Sequence, residues 1–204
     1  MDYVHKYDVT PVLQYMKLVG AGQIQEVKNT NDRTNLYYQW LACLMKVAKP
    51  KQVVELGAAA GISTTMMLSE LPKDSLLISV DNDPELAWKW MDRQWPNLVK
   101  ILGDDLDPNI WTKDLYPPVR GVNLENTDVW FFDSLHVPEQ IHKEMEIYSP
   151  FFKAGAILVF DDVHITPEFE RACNEIRDGR YCNLDWQDIS TPCHWSGFVC
   201  AIVQ

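Results

Sequence analysis

The sequence is short of positive charge. Its 18 lysines and arginines stand against 29 aspartates and glutamates, for a formal charge of -11 and a pI near 4.8. That balance argues against a nucleic-acid backbone or an anionic membrane surface as partner, because both reward basic patches. No stretch approaches the roughly 20 continuous apolar residues of a membrane span. The opening MDYVHKYDVT lacks the basic-then-apolar layout of a secretory signal, so a cytoplasmic protein is expected. The five cysteines (Cys43, Cys173, Cys182, Cys193 and Cys200) are odd in number and include no C-x-x-C pair. Neither a disulfide framework nor a zinc site follows, and reduced packing residues are expected. Internal repeats, low-complexity tracts and Gly/Ser linkers are also missing. One domain over residues 1–204 is expected, with a helical cap in 1–50 and the core in 51–204.

What is present has a clear rhythm. Thr10, Pro11 and Gly20 read as cap, first residue and stop of a short helix, and NLYYQWLACLMKVAK carries apolar residues at helical spacing. From Lys51 the pattern changes to short apolar runs separated by helix-like segments: QVVEL, STTMMLSEL, LLISV, PELAWKWMDRQW, LVKIL, DVWFF, EQIHKEMEIYSPFF, AILVF and PEFERACNEIRDG. Continuous apolar strands alternating with helices are the mark of a parallel sheet covered on both faces. YCNLDWQDI and GFVCAIV are joined too closely for a crossover helix and predict an antiparallel pair. The expected fold is therefore α/β: a seven-stranded, mostly parallel sheet closed by a C-terminal antiparallel hairpin.

Ligands of such sheets bind beyond the carboxyl ends of the strands. The first strand ends in VVELGAAAGIST, where Glu55, Gly57, Ala58 and Gly61 form a small-residue turn and the helix starting near Ser63 offers free N–H groups. The dinucleotide fingerprint G-x-G-x-x-G is absent, since Ala59 stands where its second glycine belongs. Asp81 closes the second strand, where an acid can accept both hydroxyls of a ribose. Asp104 or Asp105, after the third strand, is placed to meet an adenine, or else both are solvated loop acids.

On VVELGAAAG, Asp81 and the terminal hairpin, the chain resembles the class I S-adenosylmethionine-dependent methyltransferases from about Lys51 to the C-terminus. The resemblance implies their Rossmann-like fold and S-adenosylmethionine as cofactor, held by Glu55, Gly57, Ala58, Gly61, Ser63, Asp81, Asp104 and Asp105. The fourth and fifth strands end in FFDSLH and VFDDVH. Neighbouring parallel strands bring Asp133, Asp161 and Asp162 together, and three converging carboxylates are best resolved by a hard cation such as Mg²⁺. This layout is similar to the divalent-metal-dependent O-methyltransferases, the branch with catechol, macrolide-sugar and cephalosporin-tailoring members. Methyl transfer to oxygen needs a deprotonated hydroxyl, which a metal and a base together supply. His136 is the first candidate base, beside Asp133, and His164 the second.

The acceptor is expected to be a small hydroxylated molecule, sugar, polyketide or catechol-like, and a homo-oligomer is possible for a capped sheet of this kind. Tyr37, Tyr38 and Trp40 are candidates for an aromatic wall over the donor and Trp195 for the acceptor pocket, against a plain core role. His5, His142 and His194 carry no role. A nucleic-acid base methylase is disfavoured, because its Asn/Asp-Pro-Pro-aromatic turn is replaced by FDSLH and LYPPV lies before the strand. Two rivals remain: a non-catalytic nucleotide- or cofactor-binding module, and a Rossmann-type dehydrogenase or sugar-nucleotide enzyme.

Overall fold

The computed structural model describes residues 35–89, 91, 95–111, 122–190 and 196–204. The expected first helix, His5, His194 and Trp195 lie outside the described residues. The elements in chain order are α1 (Asn35–Ala48), β1 (Gln52–Leu56), α2 (Ile62–Glu70), β2 (Leu76–Asp81), β3 (Leu98–Leu102), β4 (Val129–Phe132), α3 (Pro138–Tyr148), β5 (Ile157–Asp161), α4 (Pro167–Arg177), β6 (Leu184–Asp188) and β7 (Phe198–Val203).

The seven strands form one sheet in the order β3-β2-β1-β4-β5-β7-β6. The first five are parallel, and β7 runs antiparallel to both β5 and β6. Every residue of β1, β4, β5 and β7 is buried, including the polar Gln52, Glu55 and Asp161 among their apolar runs. One face buries Val54, Ile78, Trp130, Leu158 and Phe160 with α3 and α4. The other buries Val53, Leu77, Phe131 and Val159 with Trp40, Leu41 and Leu44 of α1. Each fully buried large side chain contributes about 1.5–3 kcal/mol relative to exposure. The edge strand β6 alternates apolar and polar residues and ends in Asp188, which discourages pairing with another chain.

Chain order leaves β1 outward to β2 and β3 and returns to β4 on the other side of β1. The switch point therefore lies between the carboxyl ends of β1 and β4, where sheets of this type bind ligands.

One element departs from expectation. PELAWKWMDRQW is periodic enough to predict a helix, yet Pro84 to Lys89 form turns. Asp83 caps the start, accepting from the Glu85 and Leu86 amides at 2.9 and 3.1 Å. Trp88 then takes a left-handed φ of 57°. Its amide donates to the Ala59 carbonyl at 2.7 Å and its indole N–H to Ser79 Oγ at 2.9 Å. Tertiary partners displace the helical hydrogen bonds that local propensity favours.

Candidate functional site

The turn after β1 is built for close approach. Gly57 has φ of 88°, and a Cβ there would overlap the Asp133 carbonyl oxygen, at 2.5 Å from its carbon and 2.8 Å from Ser134 Cα. The Gly57 amide donates to Val80 O, and the Asp133 amide to Leu56 O, both at 2.9 Å. Glycine here lets the β1 and β4 turns touch across the switch point. Gly61, φ 86°, is the N-cap of α2 and leaves the space that Met91 Cγ fills, 2.6 Å from where a Cβ would stand.

The acids expected at the donor are placed in two ways. Glu55 is fully buried. Its carboxyl accepts from Ser63 Oγ and Thr64 Oγ1 at 2.6 Å and from Ser79 Oγ at 2.5 Å. Burial pushes it above the ordinary carboxylate range, and the three hydroxyls oppose that rise. The side chains of Glu55 and Ser63, expected to touch the donor, thus bond each other inside the fold and clamp α2 to β1 and β2. Asp81 grips the turn itself: Oδ2 accepts from the Ala58 and Ala59 amides at 2.9 and 2.7 Å, and Oδ1 from the Asp83 amide at 2.8 Å. Asp104 is an exposed loop acid bonded to the Leu106 amide at 2.9 Å. Asp105, by contrast, is buried and accepts from Gln140 Nε2 at 3.0 and 3.2 Å.

The second half of the site lies at the ends of β4 and β5. Phe132 pairs with Phe160, so Asp133 and Asp161 leave their strands side by side. Desolvation first, then the neighbouring acid charges, holds both carboxyls well above the usual range. A hydrogen bond with Asp161 opposes that rise at Asp133. Asp162 takes a left-handed φ of 56°, and Ser196 donates to its Oδ1. His136 stands between the two turns, Nε2 3.5 Å from Asp133 Oδ1 and Nδ1 3.7 Å from Asp162 Oδ2. Its ring meets Phe169 of α4 edge-on at 5.5 Å, and its buried Nε2 makes no hydrogen bond among the described residues.

Three carboxylates around one imidazole suit a hard divalent cation in donor type. The expected ligand set of Asp133, Asp161 and Asp162 is not preassembled, however: among the described residues no three His, Cys, Asp or Glu side chains stand together at ligand spacing.

His164 is outside this cluster. Its Nδ1 lies 3.1 Å from Glu170 Oε1 and its Nε2 2.9 Å from Asp188 Oδ2, so it clamps the first turn of α4 to the end of β6. Across the cluster, the Tyr37 and Tyr38 rings of α1 meet at 4.0 Å, tilted by 33°, and Tyr37 packs on Phe198, the register partner of Asp161. Burial and the Asp133 and Asp161 charges raise both phenols, Tyr38 to about 12. Trp40 is plain core. Residues not singled out in the sequence include Ser79, Ser134, Ser196 and Glu144. Only Glu144 left a signal, an acid within the apolar stripe Ile141, Met145 and Tyr148 of α3.

Comparison with known proteins agrees with this geometry. No curated protein sequence matches the chain significantly. Among solved structures, the O-methyltransferase TomG from Streptomyces achromogenes, involved in tomaymycin synthesis and determined in complex with SAM, is 17% identical. It aligns over 82% of this chain and 79% of its own with a TM-score of 0.60. Cofactor-bound Rv0187 from MTB is 16% identical over 94% and 87%, TM-score 0.61. A methyltransferase from Geobacter sulfurreducens is 16% identical over 97% and 92%, TM-score 0.57. At these identities the likeness establishes the Rossmann-like methyltransferase fold. The family model described as a methyltransferase domain matches residues 54–163, from the second residue pair of β1 past both aspartates at the end of β5. That span is more than half of the sequence, and the chain belongs to the methyltransferase-domain family.

Proposed function

We propose that the protein is an S-adenosylmethionine-dependent O-methyltransferase acting on a hydroxyl of a small molecule with the help of a divalent cation. The observation that carries this reading is His136, held between Asp133 and Asp162 within a contact of the glycine turn. A base, acids and a donor turn thus meet at the switch point. Family membership supplies methyl transfer, and the SAM-bound and O-methyltransferase relatives of the same fold support the donor and the oxygen acceptor.

In this reading the backbone from Gly57 to Gly61 and the first turn of α2 receive the donor, the free helical N–H groups favouring its carboxylate. Glu55 and Ser63 keep that turn in shape from behind. Asp81 exchanges part of its grip on the Ala58 and Ala59 amides for the ribose hydroxyls, and Asp104 and Asp105 border the adenine. Asp133, Asp161 and Asp162 would hold the cation, which supplies electrostatic stabilisation of a deprotonated acceptor oxygen. His136 takes the acceptor's proton, and the carboxylates on either side of the ring stabilise the charge it gains. Tyr37 and Tyr38 close the site from α1 and exclude water.

The whole chain is read as one domain, with residues 1–50 as its helical cap. The strong negative charge favours a small neutral acceptor over nucleic acid or membrane, and no helix among the described residues is long and apolar enough to cross a membrane. A cytoplasmic setting and self-association belong to the same proposal.

The test is calorimetric titration of S-adenosylhomocysteine with Mg²⁺ and with EDTA, alongside a Mg²⁺ titration of wild type and Asp162→Asn. Donor binding in both buffers, with a Mg²⁺ heat that the variant loses, is the expected result. Absence of donor binding in either buffer defeats the reading.

A further inference from the structure

The turn that carries Asp133 and His136 has few anchors of its own. Four residues, from Asp133 to His136, separate the end of β4 from Val137, the N-cap of α3, and that helix start has no side-chain cap. Leu135 between them is 64% exposed, so the turn gains little from apolar burial. Ser134 turns toward α3, and its hydroxyl donates to Glu144 Oε1.

Glu144 is 1% exposed on the inner face of α3. The same Oε1 accepts from Gln140 Nε2 at 3.0 Å, and that amide nitrogen also reaches Asp105 Oδ2 at 3.0 Å and Oδ1 at 3.2 Å. Tyr148, one turn further along the helix, donates to the Asp105 carbonyl. A continuous chain of hydrogen bonds therefore runs from the β4 turn through α3 to the loop after β3. A buried acid at that point costs stability unless it is satisfied, so its retention calls for a reason beyond packing.

We propose that Glu144 is a positioning residue: a buried carboxyl that fixes Ser134, and through it the turn bearing Asp133 and His136, to the Asp105 loop. This rests on the methyltransferase reading of the site and adds to it a residue outside the reacting centre. The Asp105 carboxyl faces Glu144, and desolvation with that neighbour holds Glu144 well above the ordinary carboxylate range. The other titratable groups facing the pair are Tyr148, raised by burial, and Asp104 at the loop's edge. Glutamine in place of the acid keeps the side-chain oxygen that accepts from Ser134 and Gln140.

The experiment compares Ser134→Ala, Glu144→Gln and Glu144→Leu in the full chain. Three readouts are taken: amide hydrogen exchange over residues 133–137, S-adenosylhomocysteine affinity, and kcat against KM with an acceptor found by screening. Ser134→Ala is expected to speed exchange in the turn and to lower kcat about tenfold, the loss of one buried hydrogen bond, while leaving donor affinity and melting temperature near wild type. Glu144→Leu is expected to loosen the turn and weaken donor binding as well, and Glu144→Gln to restore what Glu144→Leu loses. Unchanged exchange in Ser134→Ala, or Glu144→Gln as defective as Glu144→Leu, overturns the proposal. A protein that binds no donor refutes the methyltransferase reading instead, and the exchange data then decide the role of Glu144 without any turnover.

Discussion

Replacing Gly57 by alanine should be far more damaging than replacing Gly155, although the two share a backbone conformation. Gly57 has φ of 88° and Gly155 of 82°, so alanine pays a similar left-handed penalty at each, about 1–2 kcal/mol. They differ in what the new methyl meets. At Gly155 nothing lies within 4 Å. At Gly57 the methyl overlaps the Asp133 carbonyl and comes within 2.8 Å of Ser134 Cα, and both obstacles are backbone that cannot rotate away. Overpacking of this sort adds about 1–3 kcal/mol, so Gly57→Ala should cost about 2–5 kcal/mol in all. For a chain of this length each kcal/mol lowers the melting temperature by about 2–4 °C. The strain is relieved by parting the β1 and β4 turns, which carries Asp133 away from the donor turn. Donor affinity and turnover should therefore fall with stability. Urea unfolding of both variants, with S-adenosylhomocysteine calorimetry on the folded protein, measures each quantity. Equal destabilisation of the two variants, or wild-type donor affinity in Gly57→Ala, would refute the claim that this contact builds the site.

Two further outcomes follow from the acid cluster and its neighbours. Desolvation and mutual charge hold Asp133 and Asp161 well above their unfolded values, so the metal-free fold binds more protons than the unfolded chain. Stability contributed this way is present below about pH 4 and is lost as pH rises through the folded values. Asp161→Asn should flatten that decline and raise the melting temperature near pH 8 by about 2–4 °C in EDTA. A steeper decline in the variant would contradict the assignment. His164→Ala removes two half-exposed polar contacts, with Glu170 and Asp188, each worth about 0–1 kcal/mol, and should cost about 1 kcal/mol with kcat unchanged. A large fall in kcat with stability intact would return His164 to the role of base.

How far the sequence could be read depended on whether a residue's meaning was local. The strands of the core were legible because burial on both faces demands unbroken apolar runs, and the closing hairpin because STPCHWS is too short for a crossover. The side-by-side placing of Asp133 and Asp161 was legible for the same kind of reason: neighbouring strand ends in a parallel sheet converge whatever else the chain does. What escaped depends on contacts distant in sequence. Nothing near Trp88 shows that its amide will leave a helix for Ala59, 29 residues away, or that Ser79 will serve both Glu55 and that indole. The direction of the Glu55 side chain was not legible, because a motif places an acid at a strand end without stating which way the carboxyl turns. Three hydroxyls, two from α2 and one from β2, decide that it turns inward. In this chain the conspicuous acid of the glycine motif thus braces the turn from inside the fold, tying α2 to β1 and β2.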